Sequence, residues 1–112
     1  MADYLVVLDS DKMGNGNDEI GEILIKAFLS ALEDEEKLPQ EILLYNTGVL
    51  LVKEGADTVE AFQELVEKGV SVKACGTCLS FFEMENQLAV GKPSNMRYIL
   101  GQMRSYDRVV QP

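Results

Sequence analysis

The chain has 112 residues, nineteen of them acidic against ten basic, for a formal charge of −9, and no histidine. That length predicts one domain over residues 1–112, and the acidic balance argues against nucleic acid, whose binding rests on Lys and Arg displacing counterions. The missing histidine excludes Cys-His and Ser-His dyads and mixed Cys/His zinc sites within one chain, and no apolar run approaches the roughly 20 residues of a membrane span.

Tyr4-Leu-Val-Val-Leu8 is a short apolar run, too short for a helix, and predicts a strand covered on both faces. Ser10 to Asn17 is a polar loop rich in Gly and Asn. Ile20, Ile23, Leu24, Ala27, Phe28, Ala31 and Leu32 then follow the i, i+3, i+4 spacing of a helix packed on a core, with Asn17 as cap and Asp18, Glu19 and Glu22 in its first turn. Leu38-Pro39 is expected to end it. The acidic run Glu33–Glu36 reads as a solvated helix end rather than a docking surface.

Glu41-Ile-Leu-Leu-Tyr45 predicts a second strand and Asn46-Thr-Gly48 a turn. Val49-Leu-Leu-Val52 fits neither period; it lines a pocket or a subunit contact, or is buried under a neighbouring helix. Asp57-Thr-Val-Glu60 has capping-box spacing, and Val59, Phe62, Leu65 and Val66 give a core-facing stripe that Gly69 stops. Val70-Ser-Val-Lys-Ala74 alternates as a third strand and runs straight into Cys75-Gly-Thr-Cys78. A short helix is expected over 79–86, a short strand or extended loop over 87–90, and a loop at Gly91-Lys-Pro93. Ser94 or Asn95 caps a last helix carrying Met96, Ile99, Leu100 and Met103, and Asp107-Arg-Val-Val110 reads as the final strand.

The alternation of strands and helices predicts an α/β fold with a mainly parallel sheet, helices on both faces and right-handed crossovers. Ligands of such sheets gather beyond the carboxyl ends of the strands. The loops Ser10–Asn17, Asn46–Gly48 and Cys75–Cys78 are therefore expected to share one cleft.

Both cysteines of the chain lie in that third loop, too few for a disulfide framework and at a spacing that reads as redox, sulfur-handling or metal chemistry. Cys75 is the candidate reacting atom, ending a strand before a glycine that lets backbone N–H groups approach its sulfur. Cys78 falls in the first helical turn, where free N–H groups favour a thiolate, and reads as a resolving thiol, a second sulfur carrier or a core residue. A thioredoxin-like site has its motif after the first strand rather than the third, and zinc would need two further ligands from a symmetric partner. Gly14-Asn-Gly16 lacks the third glycine of a dinucleotide loop and the Gly-Lys-Ser/Thr of a P-loop, so turn formation is favoured over phosphate binding. No cofactor is expected. The candidate substrate or anion-binding residues are Ser10, Gly14, Gly16, Asn46, Thr47, Gly48, Gly76, Thr77 and Asn95, with Phe81, Phe82 and Met84 either an apolar rim near the thiol or core.

Leu8-Asp-Ser-Asp-Lys-Met-Gly-Asn-Gly-Asn-Asp-Glu-Ile-Gly21, Tyr45-Asn-Thr-Gly-Val49, Cys75-Gly-Thr-Cys-Leu79 and Gly91-Lys-Pro-Ser-Asn-Met96 together resemble the C-terminal domain of YedF-type proteins. These are sulfurtransferase-like proteins associated with selenium metabolism, within the DsrE/DsrF-like family. The resemblance implies a three-layer α/β/α sandwich with a mainly parallel five-stranded sheet, homo-oligomers, and persulfide sulfur transfer by the cysteine after the third strand, here Cys75. YedF-type proteins carry a TusA-like domain ahead of this one, whereas this chain starts directly at the DsrE-like strand. The chain is either a part of such a two-domain protein or stands alone; it is expected to be cytoplasmic and away from membranes and, if alone, to find its sulfur donor or acceptor, such as a TusA-like carrier, on another polypeptide. The competing readings are a small-anion-binding or protein-interaction module with passive cysteines and a disulfide oxidoreductase; low-pH alkylation and dithiol cycling separate them.

Overall fold

Leu5–Leu8 and Ile42–Leu44 lack the polar alternation of a one-sided strand because both segments are buried on both faces. The computed structural model describes residues 4–112. Its elements run β1 (Tyr4–Leu8), α1 (Asp18–Glu33), β2 (Glu41–Leu44), a 3-10 helix (Asn46–Val52), α2 (Val59–Glu67), β3 (Ser71–Cys75), α3 (Gly76–Phe81), β4 (Lys92–Ser94), α4 (Met96–Ser105) and β5 (Arg108–Val110). The five strands form one sheet in the order β4-β3-β2-β1-β5, and every pairing is parallel. The architecture is α/β, with helical layers on both faces of the sheet. Among the described residues no helix is long and apolar enough to cross a membrane.

Handedness divides the helices. From β1 through β4 the chain steps in one direction across the sheet, so right-handed crossovers keep α1, α2 and α3 on one face; the return from β4 to β5 puts α4 on the other. The packing follows this division. Val6, Leu8, Ile42, Leu44, Val72 and Ala74 meet Ile25 and Leu29 of α1, Phe62 and Leu65 of α2 and Leu79 of α3. On the opposite face Leu5, Val7, Leu43 and Cys75 meet Ile99 of α4, with Tyr45, Tyr98, Met103 and Tyr106 filling the margin.

Several boundaries and faces differ from the sequence expectation. In α1 the buried positions are Gly21, Ile25, Leu29 and Leu32, while Ile20, Ile23 and Leu24 are 47%, 57% and 41% exposed. The helix is apolar on two sides, and the more regular stripe is the one the single chain leaves uncovered. The helix also stops at Glu33, before Pro39, and the acidic residues that follow are exposed. The capping box at Asp57 does not form: Asp57 pairs with Lys26 at 2.9 Å, and Thr58 sits at the N-cap but donates its hydroxyl to the Leu51 carbonyl at 2.6 Å. Val66 is exposed, leaving Phe62 and Leu65 as the buried contacts of α2.

Val49–Val52 belongs to the 3-10 helix, with Val49, Leu51 and Val52 buried. The helix after the cysteines begins at Gly76 rather than Leu79, and Glu83 follows its end in the left-handed region. The fourth strand is Lys92–Ser94, where a loop was expected; as an edge strand it tolerates Pro93. Residues 87–90 instead lie against the chain after the 3-10 helix, through the Lys53–Leu88 bridge and the hydrogen bonds Glu54 N–H to Gln87 and Ala89 N–H to Val52. On α4, Ile99 is buried while Met96 and Leu100 face outward.

One buried carboxylate fastens α4 to the sheet. Glu41, the first residue of β2, is 2% exposed. Its Oε2 accepts from Tyr98 Oη (2.6 Å), Ser71 Oγ (3.2 Å) and Lys73 Nζ (3.3 Å), and its Oε1 from Gln102 Nε2 (2.7 Å) and Tyr106 Oη (3.4 Å). Lys73 also lies 4.8 Å from the centre of the Tyr98 ring. Burial pushes the Glu41 carboxyl up, but the hydrogen bonds from Tyr98 and Gln102 and the charge of Lys73 outweigh it and hold the group below its ordinary value. Burial and the Glu41 charge raise Tyr106 to about 12.

Glu41→Ala should lose about 3 kcal/mol of stability in urea unfolding, because it strands Lys73 and four neutral donors. The pH dependence has a fixed sign. A carboxyl whose folded pKa is depressed stabilises fully above its ordinary value of 4.5 and loses that contribution as pH falls through the lowered folded value. In Glu41→Gln this part of the acid limb should vanish from a plot of Tm against pH.

Candidate functional site

Parallel pairing brings the strands to a common finishing line. Leu8 is in register with Leu44, Leu44 with Ala74 and Ala74 with Pro93, so the loops leaving β1, β2, β3 and β4 start at one level. Ser71, Lys73 and Cys75 alternate onto the α4 face of β3. Cys75 ends the strand, 2% exposed, against Leu5, Val7, Leu43 and Ile99. Lys73 stands two residues earlier on that face, about 7 Å along the strand, but its ammonium is turned to Glu41, Ser71 and Tyr98.

Cys78 lies over the end of the sheet and packs against both hydrophobic clusters, partly exposed. Its Sγ accepts the backbone N–H of Asn46 at 3.1 Å. That donor is aimed by local geometry: Asn46 has φ 53, a left-handed conformation that Asn tolerates better than most residues, and its own Oδ1 accepts from Thr47 N–H at 2.8 Å. Thr47 Oγ1 in turn accepts from Asp11 N–H at 3.3 Å, joining the first loop to the second. Gly48 is required because a Cβ there would run into the Leu8 carbonyl. At Gly76 a Cβ would stand 3.0 Å from the Ser94 carbonyl, so glycine lets the cysteine loop close on the end of β4.

The structure thus gathers Cys75, Cys78, Asn46, Thr47, Gly48 and Gly76, with Ser10 beside Gly48 and Ser94–Asn95 beside Gly76. Ser10 Oγ is engaged by Lys12 N–H at 2.9 Å, and Asn95 caps α4 by accepting from Tyr98 N–H at 2.8 Å. Thr77 is exposed on the first turn of α3. Gly14 and Gly16 are exposed with φ 87 and 125, in a turn that folds back so that Met13 N–H reaches the Gly21 carbonyl of α1. Phe81 and Phe82 pack edge to face with Phe81 outermost, and Met84 is core. Among the described residues no three His, Cys, Asp or Glu side chains gather as metal ligands.

Sequence reasoning did not single out Glu41, Lys73, Tyr98 or Gln111. The last donates its amide to Asp9 Oδ2 (3.1 Å) and Tyr45 Oη (3.0 Å), bridging the ends of β1 and β2 near the β1–β5 boundary where strand order reverses. The available signal for Glu41 was a charge opening an otherwise apolar strand; the Lys73 signal was a cation at an inward-facing step of β3.

The electrostatics of Cys78 correct one expectation. Burial pushes its thiol above the ordinary value of 9.0; the Asn46 N–H pulls it down, and Cys75, by hydrogen bond and charge, adds to the rise. The first turn of α3 therefore does not make Cys78 an easily formed thiolate. Alkylation of Cys78 should show a midpoint above 9.0 in a rate-against-pH series, and Cys75→Ala should move that midpoint down. An unchanged midpoint would separate the two thiols electrostatically.

The comparisons with known proteins come to the same fold. The chain is similar to a protein of unknown function from Methanobacterium thermoautotrophicum, MTH1491, with a TM-score of 0.70 and 21% identity over 97% of both chains. It is also similar to the YchN protein of E. coli, with a TM-score of 0.65 and 17% identity over 97% of this chain and 98% of that one. A third likeness is to a conserved protein of unknown function from Bacteroides thetaiotaomicron, BT1422, with a TM-score of 0.67 and 15% identity over 98% of this chain and 95% of that one. A comparison with curated proteins finds no match. The DsrE/DsrF-like family profile matches residues 5–112, a span that takes in all of β2 to β5 and both cysteines, and the chain therefore belongs to the DsrE/DsrF-like family.

Proposed function

We propose that this chain is a cytoplasmic sulfur-relay protein in which Cys75 accepts a sulfane sulfur and passes it to a thiol on a partner protein. The family is associated with sulfur relay in general. The observation that carries the reading here is the placement of two adjoining thiols at the shared carboxyl edge of the sheet, with a backbone N–H directed at one of them. The exchange needs no cofactor: R–S–SH and Cys75–SH become R–SH and Cys75–S–SH, one S–S bond breaking as another forms, with no net oxidation. The YedF-like motifs favour a TusA-like carrier as donor or acceptor and selenium as an alternative cargo. The exposed stripe of Ile20, Ile23 and Leu24 on α1 supports a homo-oligomer.

A second reading, a protein-interaction or small-anion-binding module with passive cysteines, draws on the burial of Cys75 and the raised thiol of Cys78. Intact-mass analysis after exposure to a persulfide donor decides between them. The relay predicts one added sulfur retained on Cys75 and lost to an acceptor thiol, and Cys75→Ser should cut the sulfur delivered to that acceptor at least tenfold while the protein stays folded. Sulfur on neither cysteine of the wild-type chain would favour the passive module, and delivery by Cys75→Ser at the unmodified rate would overturn the role given to Cys75. Ile23→Asp should lower the sedimentation mass if the α1 stripe is the subunit contact.

A further inference from the structure

We propose that Cys78 is the thiol that meets the sulfur donor, and that Cys75 receives its sulfur from Cys78 rather than from the donor directly. This rests on the sulfur-relay reading and divides its chemistry between the two cysteines.

Access is the first reason. Sulfur transfer places the attacking sulfur, the transferred sulfur and the leaving sulfur roughly in line, so a donor on another polypeptide must reach the attacking atom from outside. Cys75 is 2% exposed and walled by Leu5, Val7, Leu43 and Ile99. Cys78 packs against that same cluster, is hydrogen-bonded to Cys75 and is partly exposed, so of the two thiols it is the one open to a donor.

The surroundings of Cys78 are the second reason. The Asn46 N–H at 3.1 Å fixes the orientation of its sulfur and remains as a donor to a persulfide held there. Three residues further on, and so on a neighbouring part of the α3 surface, Phe81 is 79% exposed. A bare aromatic ring one turn from a reachable thiol gives a docking donor an apolar footing.

The two steps balance. In the first, the Cys78 sulfur attacks the terminal sulfur of R–S–SH; the donor's S–S bond breaks, an S–S bond between Cys78 and the transferred sulfur forms, and the Cys78 proton leaves with R–SH. In the second, Cys75–SH attacks the terminal sulfur of Cys78–S–SH, giving Cys75–S–SH and regenerating Cys78–SH. No oxidant or reductant enters. The sulfur ends behind the outer thiol, away from solvent.

The test uses glutathione persulfide as donor on the wild-type chain, Cys75→Ser and Cys78→Ser, with thermal melting as the control for folding and fragment spectra to separate the two cysteines, between which no Lys or Arg lies. Three results are expected: sulfur appears on Cys78 before Cys75 in the wild-type time course, Cys75→Ser retains sulfur on Cys78, and Cys78→Ser loads Cys75 at least tenfold more slowly. The wild-type time course needs no variant and stands if one fails to fold. Loading of Cys75 at the wild-type rate in folded Cys78→Ser, or sulfur on Cys75 first in the wild type, overturns the assignment while leaving the relay intact. A wild-type chain that takes sulfur on neither cysteine overturns the relay reading itself.

Discussion

Right-handed crossover between parallel strands is the constraint from which the rest of this molecule follows. A chain that steps from β1 to β4 in one direction must keep its intervening helices on one face, and it can return to pair β5 with β1 only by crossing the other. Parallel pairing sends every loop that leaves a strand's carboxyl end to one edge of the sheet. Because Leu8, Leu44, Ala74 and Pro93 share a register line, that edge is level, and residues as distant in sequence as Asn46 and Cys78 meet there without any local motif joining them. The thiols lie at the end of β3, two strands away from the β1–β5 boundary where strand order reverses, and Gln111 bridges Asp9 and Tyr45 near that boundary.

The crossing leaves α4 alone to cover its face of the sheet, and Glu41 sets where it lies. An ion pair taken from water often contributes no more than well-packed apolar side chains of the same volume, so stability alone is a weak reason for a carboxylate here. Register is a better one. Tyr98, Gln102 and Tyr106 follow one another at intervals of four, and all three donate to the same two oxygens. Sliding α4 by one residue would turn these donors away and leave a buried carboxylate with only Ser71 and Lys73. An apolar contact would tolerate such a slip. Since Ile99 on this helix packs in the cluster that encloses Cys75, the register of α4 also fixes the surroundings of the thiol.

The sequence made the parallel α/β layout legible because apolar runs without alternation, helical spacing and turn residues all pointed the same way from β1 to β3. The cysteine loop and its meeting with Asn46–Gly48 followed from that layout. What stayed hidden depended on tertiary contacts. Helix α1 carries apolar residues on two sides, and spacing alone cannot say which side meets the sheet; the structure chooses Ile25 and Leu29 over Ile23 and Leu24. Strand β4 is three residues long and contains Pro93, so it carries no periodic signal and exists only because β3 offers it an edge. The Asp57 capping box lost to the ion pair with Lys26, 31 residues away in the chain, and to the Thr58 bond with Leu51 in the preceding 3-10 helix. The Glu41 cluster draws on three separate segments, and a lone charge at the head of β2 and a lysine within β3 are its only traces in the sequence.

The raised Cys78 thiol follows from the same crowding. Burial makes a charge on its sulfur costly, and the neighbouring Cys75, by hydrogen bond and charge, adds to that cost. One N–H from Asn46 does not offset both, and the Cys78 proton is held more tightly than on an ordinary thiol. In the proposed relay, where this group would only exchange sulfur, the arrangement is workable. Attack slows as the thiolate fraction falls, but a less acidic thiol gives a more nucleophilic thiolate, so the rate lost is smaller than the shift in pKa alone would imply. The Asn46 N–H, set by a left-handed asparagine and a glycine pressed against β1, is the part of the scaffold that favours charge on Cys78.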